Sequence, residues 1–256
     1  MATPPFFASA VLAGLVALAA CASDSATGQS RPERVAAAPQ PQSLGQAAGF
    51  PKPQRPVASI VSDSWSDEAA RDNAGAATTV IRLLDIRPGM TVADIGAGSG
   101  YYTTRVAPIV GPSGRVYAED IMPNYAEALS DRVRKARLDN VTVILGDPDD
   151  PKLPPGSVDL ALLVHMYHEI EQPYGLFHNL YPALRPGARV AIIDADRPTD
   201  QHGTPPDLLR CELAAVGYRQ IEFHKLGRVE GYLAVFAPPP PGQLPDPSQI
   251  RSCGPG

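Results

Sequence analysis

The residues of this chain that are best spaced for chemistry form a glycine-rich stretch after a short apolar run. Gly96, Gly98 and Gly100 alternate with other residues downstream of Asp94. Because glycine has no Cβ, its backbone can approach a ligand closely, so the stretch predicts a ligand-binding turn between a strand and a helix. A dinucleotide fingerprint would place a third glycine three positions after Gly98, where this sequence has Tyr101. The spacing therefore counts against a nicotinamide dinucleotide.

An acidic residue followed by three alternating glycines is similar to motif I of the class I S-adenosylmethionine-dependent methyltransferases. The resemblance extends over nearly all of residues 65–237. It implies that S-adenosylmethionine is the cofactor and that its methionine part lies along the turn from Gly96 to Gly100. It also implies that Asp94 helps to place the ammonium group of that methionine part.

The resemblance further implies contacts to the nucleoside part of the cofactor. An acidic residue at the end of the second strand would accept hydrogen bonds from both ribose hydroxyls, because a carboxylate has two acceptor oxygens. Asp120 best matches that position, with Glu119 as the alternative, and a helix cap near Pro123 is the other interpretation of Asp120. Ile121 would lie against the adenine face. Asp147 would accept from the adenine amino group, although the proline after it offers no backbone N–H.

Polar side chains follow the fourth predicted strand, at the edge where open α/β sheets bind ligands. The string from His165 to Glu169 is similar to segments in a subgroup of predicted exported methyltransferases. It implies that His165 touches the methionine end through its backbone, while Tyr167, His168 and Glu169 face the methyl acceptor. His168 is the predicted catalytic base, since imidazole titrates near neutral pH, and Tyr167 is its predicted catalytic neighbour. Alternatively, His168 and Glu169 simply open a connecting turn.

Two further pairs are candidates for the site. Tyr101 and Tyr102 begin the first helix after the glycines; one is expected to close over the cofactor and the other to pack on the sheet. Asp194 and Asp196 follow the fifth predicted strand and invite a metal interpretation. The fourth-strand end offers His165 rather than an aspartate to complete an acidic cluster, so we expect solvated loop carboxylates and no metal.

Alternating strands and helices must position these residues. Their order predicts a doubly wound, mostly parallel seven-stranded sheet with helices on both faces and an antiparallel edge hairpin, because no helix separates the last two strands. Thr204 is the expected cap of the last helix. The first predicted helix follows a cap at 66–68 and runs to about 86. The other predicted helices span 100–110, 123–138, 173–184 and 205–216, and the predicted strands span 91–95, 115–119, 141–145, 158–164, 189–194, 220–225 and 232–236.

The two ends of the chain differ in composition from its centre. Residues 1–20 have the length of a signal peptide and end in Leu18-Ala19-Ala20-Cys21, which resembles the lipobox of bacterial lipoproteins; an ordinary cleavage site is the variant interpretation. Residues 21–64, rich in Pro, Gln and Ala, predict a disordered tether, and 238–256 predict a disordered Pro-rich tail. The predicted domain is therefore 65–237.

Composition limits the classes of function. Among the 256 residues, 22 Lys and Arg against 27 Asp and Glu give a net charge of -5, which counts against a nucleic-acid partner. Cys21, Cys211 and Cys253 lack metal-type spacing and imply no disulfide framework; Cys211 is expected to be a small buried hydrophobe.

These observations predict methyl transfer from S-adenosylmethionine to a small-molecule acceptor. An exported binding or scaffold lipoprotein without turnover is the alternative, and an NAD(P)-dependent oxidoreductase is a third. The predicted location is the bacterial cell envelope, with a lipid anchor on Cys21 as the contact with the membrane. A soluble periplasmic protein is the alternative, as is a cytoplasmic one if the start codon is misassigned.

Overall fold

The computed structural model describes residues 49–60, 68–227 and 231–254. The predicted signal peptide, Cys21, most of the predicted tether and the cap at 66–67 lie outside the described residues. All described residues fall within one compact unit, residues 37–256. Among them, no helix is long and apolar enough to cross a membrane.

A single seven-stranded sheet in the order β3-β2-β1-β4-β5-β7-β6 forms the centre of the molecule. The first five strands pair in parallel, whereas β7 is antiparallel to both β5 and β6. This confirms the predicted doubly wound sheet with an antiparallel edge hairpin. The strands are β1 (Thr91–Ile95), β2 (Arg115–Asp120), β3 (Val141–Leu145), β4 (Val158–Val164), β5 (Leu184–Asp194), β6 (Arg219–Gly227) and β7 (Gly231–Ala237).

Six α-helices accompany the strands in the described part of the chain. The predicted first helix is two helices, separated near Gly75, which adopts a left-handed φ of 70°. The helix predicted to reach 184 ends at Leu180, because Pro182 cannot donate the next helical hydrogen bond. The helices are α1 (Glu68–Asn73), α2 (Ala76–Leu83), α3 (Tyr101–Val110), α4 (Pro123–Lys135), α5 (Pro173–Leu180) and α6 (Pro206–Ala215).

Two apolar clusters, one on each face of the sheet, make up most of the core. Residues of α2 and α3 pack on one face, and residues of α5 and α6 pack on the other. Helices therefore cover both faces, as predicted. Since β4 and β5 lie at the centre of the sheet and are buried from both sides, their carboxyl ends are held rigidly.

The C-terminal segment is folded against the domain, which differs from the predicted disordered tail. Cys211 on α6 and Cys253 form a disulfide with a Cα–Cα distance of 6.1 Å, so the prediction that Cys211 is an unpaired buried hydrophobe is wrong. Ile250 is 3% exposed, and the backbone N–H of Cys253 donates to the hydroxyl of Tyr174 at 2.9 Å. Because its prolines give this segment neither helical nor strand periodicity, its sequence contains no pattern that predicts the packing.

An N-terminal segment, residues 49–60, also packs on the domain although it was assigned to a disordered tether. Arg55 is buried and its Nε donates to both carboxylate oxygens of Glu212 on α6 at 3.0 and 3.1 Å. Its Nη2 donates to the carbonyls of Tyr167 and Ile170, and the N–H of Ala58 donates to the carbonyl of His168. A buried arginine, backbone hydrogen bonds and the packing of Phe50 on the core thus hold this segment against the domain.

Candidate functional site

The glycine turn after β1 is shaped by three left-handed residues. Gly96, Gly98 and Gly100 have φ values of 66°, 53° and 85°, which side chains rarely adopt. A Cβ at Gly100 would also collide with the Cδ1 atom of Leu129 on α4. Glycine at position 100 is therefore required both by backbone conformation and by the close approach of α4.

Asp94, near the end of β1, lies directly beneath this turn. Its side chain is buried, and Oδ2 accepts a hydrogen bond of 2.6 Å from the hydroxyl of Thr103 in the first turn of α3. The carboxylate therefore joins the strand to the helix on both sides of the glycines. Its contact with the cofactor ammonium stays a prediction.

The acidic pair at the end of β2 supports the same turn. Asp120 is 5% exposed; its Oδ2 accepts from the N–H of Gly98 at 2.9 Å and its Oδ1 accepts from the N–H of Met122 at 2.8 Å. The helix-cap interpretation of Asp120 is wrong, because the N-cap residue of α4 is Met122 and no side chain caps that helix. Each carboxylate oxygen has a second lone pair, so these bonds leave acceptor capacity for ribose hydroxyls.

The side chain of Glu119 is almost fully buried at the end of β2. Its Oε2 accepts from the N–H of Gly96 at 3.3 Å, and a Cβ at Gly146 would occupy the position of Oε1. Oε1 has no hydrogen-bond partner among the described residues. Burial, together with the negative charge of neighbouring Asp120, raises the pKa of Glu119 well above its usual range, which the bond from Gly96 only partly offsets.

This raised pKa predicts a pH-dependent stability. In the unfolded state Glu119 loses its proton near the ordinary pKa of about 4.3, whereas in the folded state it keeps the proton to higher pH. The stability that this group contributes below its unfolded pKa is therefore lost as the pH rises towards its folded pKa. Glu119→Gln keeps the shape without a charge. We expect its melting temperature, relative to the unsubstituted chain without ligand, to rise steadily between pH 4.5 and 8. Exposed Glu127→Gln is the control, and an equal difference at every pH would contradict the prediction.

The other predicted nucleoside contacts lie at the surface. The side chain of Asp147 is 53% exposed and its Oδ2 pairs with Nζ of Lys152 at 2.7 Å. The backbone of Asp147 exchanges two hydrogen bonds with Asp150, which fixes a tight turn after β3. Ile121 is partly buried beside Asp120. The adenine contacts of Asp147 and Ile121 stay predictions.

His165 marks the point where β4 leaves the sheet. Its backbone adopts a left-handed φ of 53°, and its N–H still donates to the carbonyl of Ile193 on β5 at 2.8 Å. The imidazole Nδ1 lies 3.8 Å from Oδ1 of Asp194. His165 is therefore held at the carboxyl edge between β4 and β5, beside the glycine turn of β1.

The short 3-10 helix Tyr167–Glu169 places His168 against Asp194. His168 is 2% exposed, and its Nδ1 lies 3.0 and 3.1 Å from the two carboxylate oxygens of Asp194. Burial alone would raise the pKa of Asp194, but hydrogen bonds from His165, His168 and Thr204 and the charge of His168 lower it below its usual range. An ionised Asp194 selects the tautomer with the proton on Nδ1, which leaves the lone pair on Nε2.

This arrangement corrects the prediction for Asp194. The Asp194 carboxylate is fully buried, and it accepts from the N–H of Ala195 at 2.8 Å and from the hydroxyl of Thr204 at 2.7 Å. Asp196, by contrast, is exposed. The two carboxylates are thus neither a pair nor both solvated. Thr204 does not cap α6, whose N-cap position is Pro205, because its hydroxyl is bonded to Asp194.

Tyr167, predicted to face the acceptor, points the other way. It is fully buried, and its hydroxyl donates to Oε2 of Glu212 at 2.7 Å. Burial, together with the charge of Glu212, raises the pKa of its hydroxyl well above its usual range. The adjacent Arg55 guanidinium lies 5.3 Å from the ring centre. Tyr167 therefore belongs to the buried Arg55–Glu212 network, and a catalytic role for it is wrong.

Tyr101 and Tyr102 both pack in the core. They are 3% and 4% exposed and stack edge to face with ring centres 5.1 Å apart. The Tyr101 hydroxyl donates to Oδ1 of Asp72 on α1, and the guanidinium groups of Arg71 and Arg105 lie 3.6 and 3.8 Å from its ring centre. Instead of one ring closing over the glycine turn, the pair anchors α1 to α3.

His202 is a site residue that the sequence interpretation missed. It ends the 3-10 helix Thr199–Gln201 with a left-handed φ of 57°, and its ring packs edge to face on His168 at 5.5 Å. Burial, then the charges of His168 and Arg197, lower the pKa of His202. His168, Glu169 and His202 bring ligand-type atoms within 4.8 Å of one another. No periodicity marked His202, because the loop after β5 has none.

Comparison with known proteins is consistent with this geometry. Residues 93–192 match a family described as "Methyltransferase domain". A protein-L-isoaspartate O-methyltransferase of Methanothrix thermoacetophila is 36% identical over 110 residues, 43% of this chain and 50% of its own length. An arsenite methyltransferase of Halobacterium salinarum is 32% identical over 132 residues, 50% of this chain and 34% of its own length. The chain thus spans half or less of these relatives.

The fold is shared with solved methyltransferases. The crystal structure of a SAM-dependent methyltransferase from Aquifex aeolicus superposes with a TM-score of 0.57 at 23% identity, covering 67% of this chain and 97% of that one. Residues 93–192 therefore match the methyltransferase-domain family, and the chain shares the class I fold of S-adenosylmethionine-dependent methyltransferases. That family uses S-adenosylmethionine as its cofactor.

The described residues fit this cofactor. The left-handed glycine turn admits a ligand against the backbone, and the carboxyl groups of Asp120 and Glu119 lie beside it, bonded to the N–H groups of Gly98 and Gly96. With Asp94 at the end of β1, these groups offer oxygens to an ammonium group and to hydroxyls. The buried Oε1 of Glu119 is an orphaned acceptor within this set. The combination suits a ligand that is cationic at one end and carries hydroxyls at the other.

Proposed function

We propose that this protein transfers a methyl group from S-adenosylmethionine to a small-molecule acceptor at the carboxyl edge of β4 and β5. The observation that carries the proposal is the buried His168–Asp194 pair beside the glycine turn of a methyltransferase fold. A pair of this kind is costly to bury unless its members are bonded, and it lies where open α/β sheets bind ligands. The net charge of -5 favours an acceptor other than nucleic acid.

The residues of the chain have a limited task in such a reaction. S-adenosylmethionine supplies a methyl group that its sulfonium has already activated. Asp120 and the glycine turn orient one reactant, and the buried edge of β4 and β5 excludes water from the other. Because Asp194 holds the proton on Nδ1 of His168, Nε2 can accept the proton of a hydroxyl or ammonium acceptor.

The chemistry of the acceptor is not fixed by similarity. Two of the matching relatives are named for protein L-isoaspartate and for arsenite, and a third, from Geobacillus, is named for demethylmenaquinone. These acceptors differ in size, charge and attacking atom. We propose a small acceptor because the imidazole that would meet it is only 2% exposed.

Cofactor binding tests the proposal directly. We expect Asp120→Ala to weaken S-adenosylmethionine binding by about 1.5–3 kcal/mol, since it removes a charge-assisted acceptor, and Gly98→Val to weaken it further by placing a branched side chain at a left-handed position. Isothermal calorimetry on folded variants measures both. Asp207→Ala, exposed on α6, is the matched control. Unchanged affinity in both variants would contradict the site, whereas loss only in Glu119→Ala would move the ribose contact by one residue.

We also propose that the protein is exported and anchored by a lipid on Cys21. The Cys211–Cys253 disulfide supports export, since disulfides persist mainly in oxidising compartments. A diacyl anchor carries two chains, enough for stable attachment. Intact-mass analysis of the native protein should find a chain that begins at a lipidated Cys21. A chain that retains residues 1–20, or a soluble chain without a lipid, would contradict the proposal.

A further inference from the structure

Three side chains with metal-binding groups converge beyond β4 and β5. His168 and Glu169 come from the 3-10 helix after β4, and His202 comes from the loop after β5. The Nε2 atom of His168 lies 4.0 Å from Oε1 of Glu169, and one ligand atom from each of the three residues lies within 4.8 Å of the others. Two imidazoles and one carboxylate are a ligand set typical of zinc enzymes.

The surroundings of His168 resemble those of a metal-bound histidine. Its Nδ1 is held by the buried carboxylate of Asp194, so Nε2 faces Glu169 and His202. Metal-ligating histidines almost always donate their other ring N–H to a carboxylate or carbonyl, which fixes the tautomer and the ring. Asp194 is fixed in turn by Ala195 and Thr204.

The loop that carries His202 is anchored on both sides. The hydroxyl of Thr199 donates to the carbonyl of Pro56 at 2.8 Å, and Nε of Arg197 donates to the carbonyl of His202 at 3.0 Å. His202 keeps a left-handed backbone within this loop. Such conformations in residues other than glycine concentrate at functional sites, where the surrounding structure maintains them.

We propose that His168, Glu169 and His202 bind a divalent transition-metal cation of the zinc class. Ligand atoms at about 2.0–2.1 Å from a tetrahedral cation lie roughly 3.4 Å apart, so the two more exposed side chains must close by about 1 Å. Glu169 and His202 are both partly exposed, whereas His168 is held by Asp194. Three protein ligands leave a fourth position open.

The role of the cation rests on the proposed function. An acceptor hydroxyl in the open position would bind the cation, which lowers the pKa of a bound oxygen. With the cation bound, Nε2 of His168 would be a ligand and would not accept the acceptor proton, which would instead be released to water; in the chain without the cation, Nε2 is the base of the proposed function. The binding site, by contrast, depends only on the three side chains.

Cobalt titration tests the site without an assay of turnover. The full-length, untagged chain would be stripped with a chelator and titrated with Co²⁺ while its visible absorption is recorded. We expect one equivalent to bind with the intense bands of a tetrahedral site, and Zn²⁺ to displace it. His202→Ala and Glu169→Gln, at partly exposed positions, should weaken binding at least about tenfold, since even loss of an outer-shell partner typically costs that much.

A second histidine–glutamate pair provides the matched control. His224 on β6 lies 3.1 Å from Glu222, so His224→Ala removes such a pair elsewhere and should leave Co²⁺ binding unchanged. Absence of a one-to-one complex, or equal binding by all variants, would overturn the cation site. S-adenosylmethionine binding by the same preparation separates the two proposals. If the chain binds S-adenosylmethionine but not Co²⁺, only the cation site is overturned. If it binds Co²⁺ but not S-adenosylmethionine, the cation site is supported and the proposed function is overturned.

Discussion

His168→Ala is expected to lower turnover by about 10² to 10⁴, the usual contribution of a positioned proton-transfer group, once an acceptor has been identified. Cofactor affinity should barely change, because Nε2 is directed towards Glu169 and His202 and, among the described residues, the imidazole has no hydrogen bond to the glycines at 96, 98 and 100 that would bind the cofactor. The melting temperature should also fall, since Asp194 loses one of its partners. Turnover per folded molecule is therefore the quantity that reports the catalytic role.

The control for this variant is His224→Ala, a histidine replacement on the partly exposed face of β6. Melting temperature, cofactor affinity and turnover would be measured on one preparation of each protein. A folded His168→Ala variant with wild-type turnover would mean that the imidazole only braces the turn after β4. That outcome would remove the acceptor-side role of His168 and leave cofactor binding intact.

Arg55→Met is expected to destabilise the fold by about 3–5 kcal/mol, because it leaves the Glu212 carboxylate buried without its cation. The pair is almost fully buried, with side chains 2% and 1% exposed. Arg55 also donates to the carbonyls of Tyr167 and Ile170, which flank the turn that carries His168. The substitution should therefore disturb the site as well as the fold.

Denaturant unfolding measures this effect against an exposed pair. Arg87→Met breaks the ion pair between Arg87 and Asp85, in which the two side chains are 69% and 68% exposed. This substitution should lower the free energy of unfolding by no more than about 1 kcal/mol. An Arg55→Met variant as stable as Arg87→Met would contradict the docking of residues 49–60. A double variant in which Glu212→Met is added should recover part of the loss, since the unpaired charge is removed.

The fold was predictable because its pattern is local. Apolar strands such as Val158–Val164 alternate with helices that end at glycine or proline, and these signals fix the order of the elements. The segments that were missed lack such signals. Cys253 pairs with Cys211 across 42 residues, and residues 49–60 are held by the buried cation of Arg55 together with scattered hydrogen bonds. Neither contact follows from periodicity.

The site was predictable only in part, for a different physical reason. The glycine turn is specified by backbone conformation, which the residue types of positions 96, 98 and 100 reveal. In the 3-10 turn after β4 the direction of each side chain depends on packing. The sequence therefore could not show that Tyr167 points into the core while His168 points towards the edge of the sheet. Asp194 resembled a solvated loop acid in the sequence, because its bonds to His168, Ala195 and Thr204 form only in the folded chain.

Binding of S-adenosylmethionine by the full-length chain tests the central claim most directly. A thermal-shift series would compare S-adenosylmethionine, S-adenosylhomocysteine, NAD and NADP, each at about 100 times a micromolar dissociation constant. Such a ligand should add about 2.7 kcal/mol of stability, or roughly 5–10 °C in melting temperature. We predict this shift for the two S-adenosyl compounds and none for the dinucleotides. A shift with NAD or NADP alone, or with none of the four, would contradict the account.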